Sequence, residues 1–238
     1  MQRRDSLIVG EYYHIYNRGV NKNLIFNDQN DYYRFIKSIF LFNSDKSLEI
    51  GAVSRGNTYR NVFFVDRGNQ LVDIGAYCLM PNHFHFLIKQ KVDNGISIFF
   101  KKVLTGHSMF YNKKYKRTGP LFEGRFKSKL ISNDEYLRYL FAYIHLNPVK
   151  IQNPSWKDEG IDDPSAAEAF LRDYRFSSYN EYANNKPRPE ERIINKKEFP
   201  EYFDSCKEFR NFMNNWLNYK EEFEILESEG VRRRTVLL

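Results

Sequence analysis

Hydrophobic and polar positions along this chain follow two rhythms, and their order outlines a layered fold. Tyr12 to Val20 alternates with period two and predicts a strand; Tyr32, Phe35, Ile36, Ile39 and Phe40 recur at helical spacing and predict a helix over Asp28 to Phe42. Leu48 to Asp73 carries two β-like runs with turn signals at Arg55-Gly56-Asn57 and Arg67-Gly68-Asn69, which predicts a hairpin insertion over 48–73. The runs Val72 to Leu79 and His83 to Gln90 predict paired strands. A helix from about Asn94 to Lys114, a strand around Arg125 to Ile131 and a helix from Asp134 to Leu146 follow. This β-α-β-β-α-β order matches an α+β, ferredoxin-like antiparallel sheet backed by helices.

Beyond Lys150 the pattern thins. Asp163 to Arg172 reads as a short helix, and Asn184 to Glu191, with two prolines, as a linker. Glu201 to Gly230 carries eight acidic residues against three basic ones, with Phe209, Phe212, Met213, Trp216 and Phe223 at helical spacings, and predicts a docking helix. The expected division is a catalytic domain over 1–185 and a linker with an acidic helical extension over 186–238.

Two histidines fall in the most apolar stretch, Cys78-Leu79-Met80-Pro81-Asn82-His83-Phe84-His85-Phe86-Leu87-Ile88. On a strand, alternate side chains share a face, so His83 and His85 project together with Cα atoms roughly 6–7 Å apart. Alone, the pair reads more readily as hydrogen-bonded core histidines than as metal ligands. A second segment, Tyr143-Ile144-His145-Leu146-Asn147-Pro148, ends the helix that follows. Tyr143 and Asn147, four apart, lie on one helix face, while His145 points away. Pro148 puts Asn147 outside the helical region or in its last turn. A lone strand histidine such as His14 reads as structural.

Charge changes the picture. The net charge is +7, and Lys101 to Leu130 alone holds nine cations against Glu123. Aromatics interleave with cations in Phe110 to Arg117 and in Phe122 to Lys127, a composition suited to phosphates and stacked single-stranded bases, or to a solvated helix face. Tyr111 and Tyr115, lying there, compete with Tyr143 for any nucleophilic role, although stacking suits them better.

Three motifs in this order resemble the single-tyrosine HUH transposase superfamily, and within it the REP-associated tyrosine transposases. They are Ala76 to His85, Gly119 to Ser128 (Gly-Pro-Leu-Phe-Glu-Gly-Arg-Phe-Lys-Ser) and Tyr143 to Val149, preceded by an opening strand Tyr13 to Gly19. The resemblance implies that Tyr143 is the nucleophile, that His83, His85 and Asn147 hold a divalent metal, and that cleavage leaves a 5′-phosphotyrosine and a free 3′-hydroxyl. It implies a single-stranded DNA endonuclease and strand transferase acting at hairpin or palindromic repeats; a non-catalytic nucleic-acid-binding regulator on the same scaffold is the alternative. Two imidazoles and an amide suit Mg²⁺ or Mn²⁺. The residues expected on DNA are Arg18, Lys113, Lys114, Tyr115, Lys116, Arg117, Arg125 and Lys127. A homodimer, with tyrosine and histidines in one protomer or shared between two, is compatible with the resemblance.

Transesterification needs no nucleotide, and the chain has no G-x-x-x-x-G-K-[ST] phosphate loop. Cys78 and Cys206 form no motif, which fits a reducing compartment, and no signal peptide or membrane span is visible. A cytoplasmic, nucleoid-associated protein without a membrane partner is expected.

Overall fold

The computed structural model describes residues 7–156 and 160–218. Strands β1 (Tyr12–Arg18), β2 (Val72–Met80), β3 (His83–Gln90) and β4 (Lys127–Leu130) form one antiparallel sheet in the order β2-β3-β1-β4. Helices α1 (Gln29–Phe42) and α4 (Gly95–Lys114) cover one face, while α5 (Asp134–Leu146) packs on the other against β2 and β3. The expected α+β, ferredoxin-like architecture is the one observed. Among the described residues, no helix is long and apolar enough to cross a membrane.

Alternation along β3 divides two cores. Phe84, Phe86 and Ile88 point into the α1/α4 side with Phe35, Phe99 and Phe100; Leu87 joins the α5 side, which His83 and His85 also face. β2 would put Ala76, Cys78 and Met80 on the α1/α4 side if its period ran unbroken from Val72 and Ile74. A bulge between Ile74 and Ala76 shifts the phase, so those three face α5 and Tyr77 and Leu79 face α1/α4. Gly75 sits at the bulge, where its carbonyl accepts the Tyr182 hydroxyl at 2.6 Å and the Phe199 ring lies against its Cα.

The stretch 48–73 is not a hairpin. It forms the short helices α2 (Ile50–Arg55) and α3 (Tyr59–Val62), and among the described residues of this stretch no strand begins before Val72. Ile50 and Val53, and then Tyr59, Val62 and Phe63, meet the core at i+3 and i+4 spacing, which only a helix delivers. Asn57, expected in a hairpin turn, instead bonds the Val53 carbonyl at the end of α2, and the Thr58 side chain caps α3. Arg67-Gly68-Asn69 is a loop, with Gly68 at φ +69° and Asn69 bonded to the Asp45 carboxylate.

α6 (Val149–Gln152), α7 (Pro164–Asp173), α8 (Tyr179–Ala183) and α9 (Cys206–Asn218) complete the α5 side. The expected linker, 184–191, is packed rather than free. Arg188 pairs with buried Glu181 at 2.6 Å, Glu190 accepts the Tyr59 hydroxyl, and Pro189–Ile193 closes as a 3₁₀ turn with Ile193 in the core. In α9, Phe209, Met213, Trp216 and Leu217 are buried in the core with α5, so the docking role is seen as far as Leu217. Phe223, the rest of the acidic stretch and Arg232 to Arg234 lie outside the described residues.

Gly75→Ala should lower the urea midpoint by an amount equivalent to about 1–3 kcal/mol, because its new Cβ would stand 2.7 Å from the Phe199 ring. Adding Phe199→Leu should recover part of the loss. An unchanged midpoint in the single variant would show that the bulge tolerates a side chain.

Candidate active site

Sheet register assembles the site. Across β1 and β3, Arg18 lies opposite His83 and Tyr16 opposite His85; across β1 and β4, Tyr16 faces Lys127 and His14 faces Lys129. α5, capped by the Asn133 side chain on Tyr136 N at 2.7 Å, brings Tyr143 over this row, its ring centre 5.3 Å from His85 and 6.0 Å from His14. His83 and His85 have ring centres 5.1 Å apart.

Each histidine of the pair is held from its far side. His83 Nδ1 bonds Asn82 Oδ1 at 2.6 Å, and His85 Nδ1 bonds His14 Nε2 at 2.9 Å. The Asn82 oxygen can only accept, so His83 Nδ1 carries the proton and its Nε2 keeps a lone pair; His85 Nε2 keeps one in the tautomer in which its Nδ1 donates to His14. Burial, with Lys150 and Arg18 nearby, lowers the His83 pKa to about 4; burial and Lys129 lower that of His14 to about 3. Both rings are therefore neutral at pH 7, as ligation or lone-pair acceptance requires.

Asn147 follows α5 with helical dihedrals, φ −51° and ψ −38°, and the chain runs through Pro148 directly into α6. Of the two placements that Pro148 allows, the last turn is the one adopted. The Asn147 amide nitrogen donates to the Tyr143 carbonyl at 2.9 Å. Its Oδ1 is buried without a hydrogen-bond partner, near enough to His83 to favour the protonated ring but outside bonding geometry. A buried amide oxygen left unpaired is costly unless something uses it. Among the described residues no three His, Cys, Asp or Glu side chains are placed to hold a metal ion, so a metal would rest on two imidazoles and this amide. That donor set fits one: two imidazoles facing the same side of the sheet and a buried amide oxygen without a hydrogen-bond partner are donors of the right chemistry.

The second motif lies alongside. Asn17 Nδ2 bonds the Gly124 carbonyl at 3.0 Å, where Gly124 adopts φ +112°, and Arg18 pairs with Glu123 at 2.7 Å. A cleft of about 440 Å³ opens there, lined by His83, His85, Tyr16, Arg18, Lys22 and Lys127 among others. Arg125 is exposed on the loop outside this lining.

The basic segment divides. Lys114 bonds Asp28 at 2.6 Å and buried Asp31 at 2.7 Å, at the capping box that starts α1; Tyr115 donates to Asp31 at 2.8 Å. Arg117 braces the Asn112 side chain and the Pro120 carbonyl. These three were expected on DNA, yet carboxylates and carbonyls of the fold engage them; Lys113 and Lys116 are exposed. Tyr111 gives its hydroxyl to the Leu24 carbonyl at 3.1 Å, so both competing tyrosines have structural bonds. His145 is buried away from the site, between the Phe141 carbonyl and Ser178.

Sequence reasoning read His14 as structural, which its bond to His85 agrees with, and did not bring Tyr16 or Lys150 to the site. His14 and Tyr16 enter only through the β1–β3 register. The Lys150 ammonium, one helical turn past Leu146, lies 6.0 Å from the Tyr143 ring centre. Its spacing of seven from Tyr143 was the available signal.

Comparison with known proteins agrees with the motifs. Residues 57–147 match the family described as "Transposase IS200 like". This central segment is similar to IS200-like transposases. The match runs from α3 to Asn147 and so holds the histidine pair, the Gly119 to Ser128 motif and Tyr143. A solved structure of a REP-associated tyrosine transposase bound to a REP hairpin is similar in fold, with 16% identity over 80% of this chain and 90% of that one and a TM-score of 0.48. No curated protein matches.

Lys114→Gln should destabilise the protein by about 1.5–3 kcal/mol, the usual loss for hydrogen bonds to charged groups, and leave the salt dependence of DNA binding unchanged. Neutralising Lys113 and Lys116 should do the reverse, with little change in melting temperature. Melting curves and salt titrations of both variants check this; a flattened salt dependence for Lys114→Gln would return that residue to the DNA surface.

Proposed function

We propose that this protein is a metal-dependent single-stranded DNA endonuclease and strand transferase of the single-tyrosine HUH type, working at hairpin or palindromic repeat DNA. The observation that carries the reading is the convergence of Tyr143, both histidines and the orphaned Asn147 oxygen on one side of the sheet, beside a cationic cleft. The IS200-like segment supports it.

His83, His85 and Asn147 would hold Mg²⁺ or Mn²⁺, which when bound supplies Lewis-acid polarisation of a phosphodiester oxygen. The chain's own residues do the rest. Lys22 and Lys127 draw the phosphate backbone into the cleft, and Arg18 joins them on exchanging Glu123 for a phosphate. His14 and Asn82 fix the orientation of the two imidazoles. Tyr143 Oη attacks phosphorus, the P–O3′ bond breaks, the phenolic proton passes to solvent, and the departing 3′-oxygen takes up a proton. One phosphodiester replaces another, so the linkage is conserved for transfer to a second strand. Lys150, beside the Tyr143 ring, supplies positive charge where the phenol loses its proton.

Tyr143→Phe should retain hairpin binding and form no denaturant-resistant protein–DNA adduct when incubated with single-stranded hairpins and Mn²⁺. Adduct formation by that variant would overturn the assignment, and hairpin binding by the wild type without any adduct would favour the regulator. His83→Ala and His85→Ala should each abolish metal-dependent adduct formation while melting as cooperatively as the wild type, because a site with three protein ligands cannot lose an imidazole without large loss of affinity. Full activity in both would return these residues to the core.

A further inference from the structure

Strand cleavage by Tyr143 requires a proton at the departing 3′-oxygen. An alkoxide is a far stronger base than a phenolate or an amine, and it leaves readily only if a proton reaches it as the P–O3′ bond breaks. β1 offers a donor, because its tyrosines differ in what their hydroxyls do. Tyr12 donates to the Glu198 carbonyl at 3.0 Å, and the Tyr13 hydroxyl accepts from Ile8 N at 2.8 Å. Tyr16 is half-buried, its ring centre 4.9 Å from that of His14 and 6.0 Å from that of His85. Its hydroxyl has no hydrogen-bond partner among the described residues. The fold holds the ring and leaves the hydroxyl uncommitted at the wall of the 440 Å³ cleft.

Along the α5 face of β1 the order is His14, Tyr16, Arg18. Tyr143 lies over the His14 end, in ring contact with His14 and His85; the cleft lies toward the Arg18 end, lined by Tyr16, His85 and Arg18 and not by His14 or Tyr143. A phosphodiester that enters the cleft and reaches Tyr143 therefore has the nucleophile on one side and Tyr16 on the other. In-line displacement sends the leaving oxygen away from the attacking one, which here is toward Tyr16. Lys127, cross-strand from Tyr16, keeps its ammonium 5.9 Å from the ring centre, so a phenolate formed there has a cation beside it. We propose that Tyr16 is a catalytic residue, the general acid that protonates the 3′-leaving oxygen; this rests on the reading that Tyr143 cleaves DNA. As the bond from Tyr143 Oη to phosphorus forms and the P–O3′ bond breaks, the electron pair left on O3′ takes the Tyr16 proton, giving the free 3′-hydroxyl and a Tyr16 phenolate. When a 3′-hydroxyl later attacks the phosphotyrosine, that phenolate takes its proton, the O3′–P bond forms, and the released Tyr143 oxygen is protonated by water.

Tyr16→Phe keeps the ring and removes the donor. Adduct formation is timed in Mn²⁺ on two hairpin strands, one with the natural 3′-oxygen at the cleavage site and one with sulfur in its place, since a thiolate leaves without being protonated. Tyr16→Phe should slow the oxygen strand by about 10²-fold or more, the range that general acids contribute, and react with the sulfur strand as fast as the wild type does. Hairpin affinity and melting temperature should not change. Lys127→Gln, which loses a phosphate contact, should slow both strands alike. Equal slowing of both strands by Tyr16→Phe would reduce Tyr16 to a packing role and overturn the proposal. An undiminished rate on the oxygen strand would do the same, as would rescue by sulfur of Lys127→Gln instead of Tyr16→Phe. A wild type that forms no adduct with either strand would overturn the cleavage reading and this one with it, whereas a wild-type adduct unaffected by Tyr16→Phe removes Tyr16 alone.

Discussion

The alternation of side chains along β3 is the constraint on which the rest of the structure depends. Phe84, Phe86 and Ile88 must enter the α1/α4 core, and with a period of two that obliges His83 and His85 to emerge on the opposite face. A slip of one residue would bury two imidazoles among phenylalanines and expose the rings, which fixes the register strongly. α5 can then cover the histidine face, and Tyr143 arrives above it. The Gly75 bulge completes the arrangement on the neighbouring strand by returning Tyr77 and Leu79 to the aromatic core.

Electrostatics sorts the cations of this basic chain into two populations. Lys114 and Arg188 are neutralised inside the fold by Asp28, Asp31 and Glu181, where they hold helix starts and the returning C-terminal segment. Arg34, Lys37 and Lys127 have neutral or aromatic neighbours and face open grooves. Only the second population keeps its charge available for phosphates, because a paired charge must first give up its partner. The desolvated, neutral His83 and His14 show the complementary effect: burial strips their protons and leaves lone pairs.

The insertion shows how local turn chemistry misleads. Gly56 and Gly68 both look like hairpin turns, yet one follows a helix end and the other a loop tied to Asp45. α2 and α3 carry only six and four residues, too few for periodicity to distinguish helix from strand before their contacts with α1 are known. The segment thereby supplies one wall of an open groove lined by Arg34, Lys37 and Arg175 instead of an edge ribbon.

By itself the sequence determined the strand and helix order of the core, the shared face of His83 and His85, and the pairing of Tyr143 with Asn147, because each follows from a local period of two or about four residues. The ordered motifs likewise pointed to the transposase family that matches 57–147. Only the tertiary structure decided that His14 and Tyr16 join the site, that Lys114, Tyr115 and Arg117 serve the fold, and that Arg34, Lys37 and Arg175 share a groove. Those outcomes depend on strand register and on contacts between residues tens of positions apart. No local pattern encodes such contacts, since they are settled by which faces must be buried together.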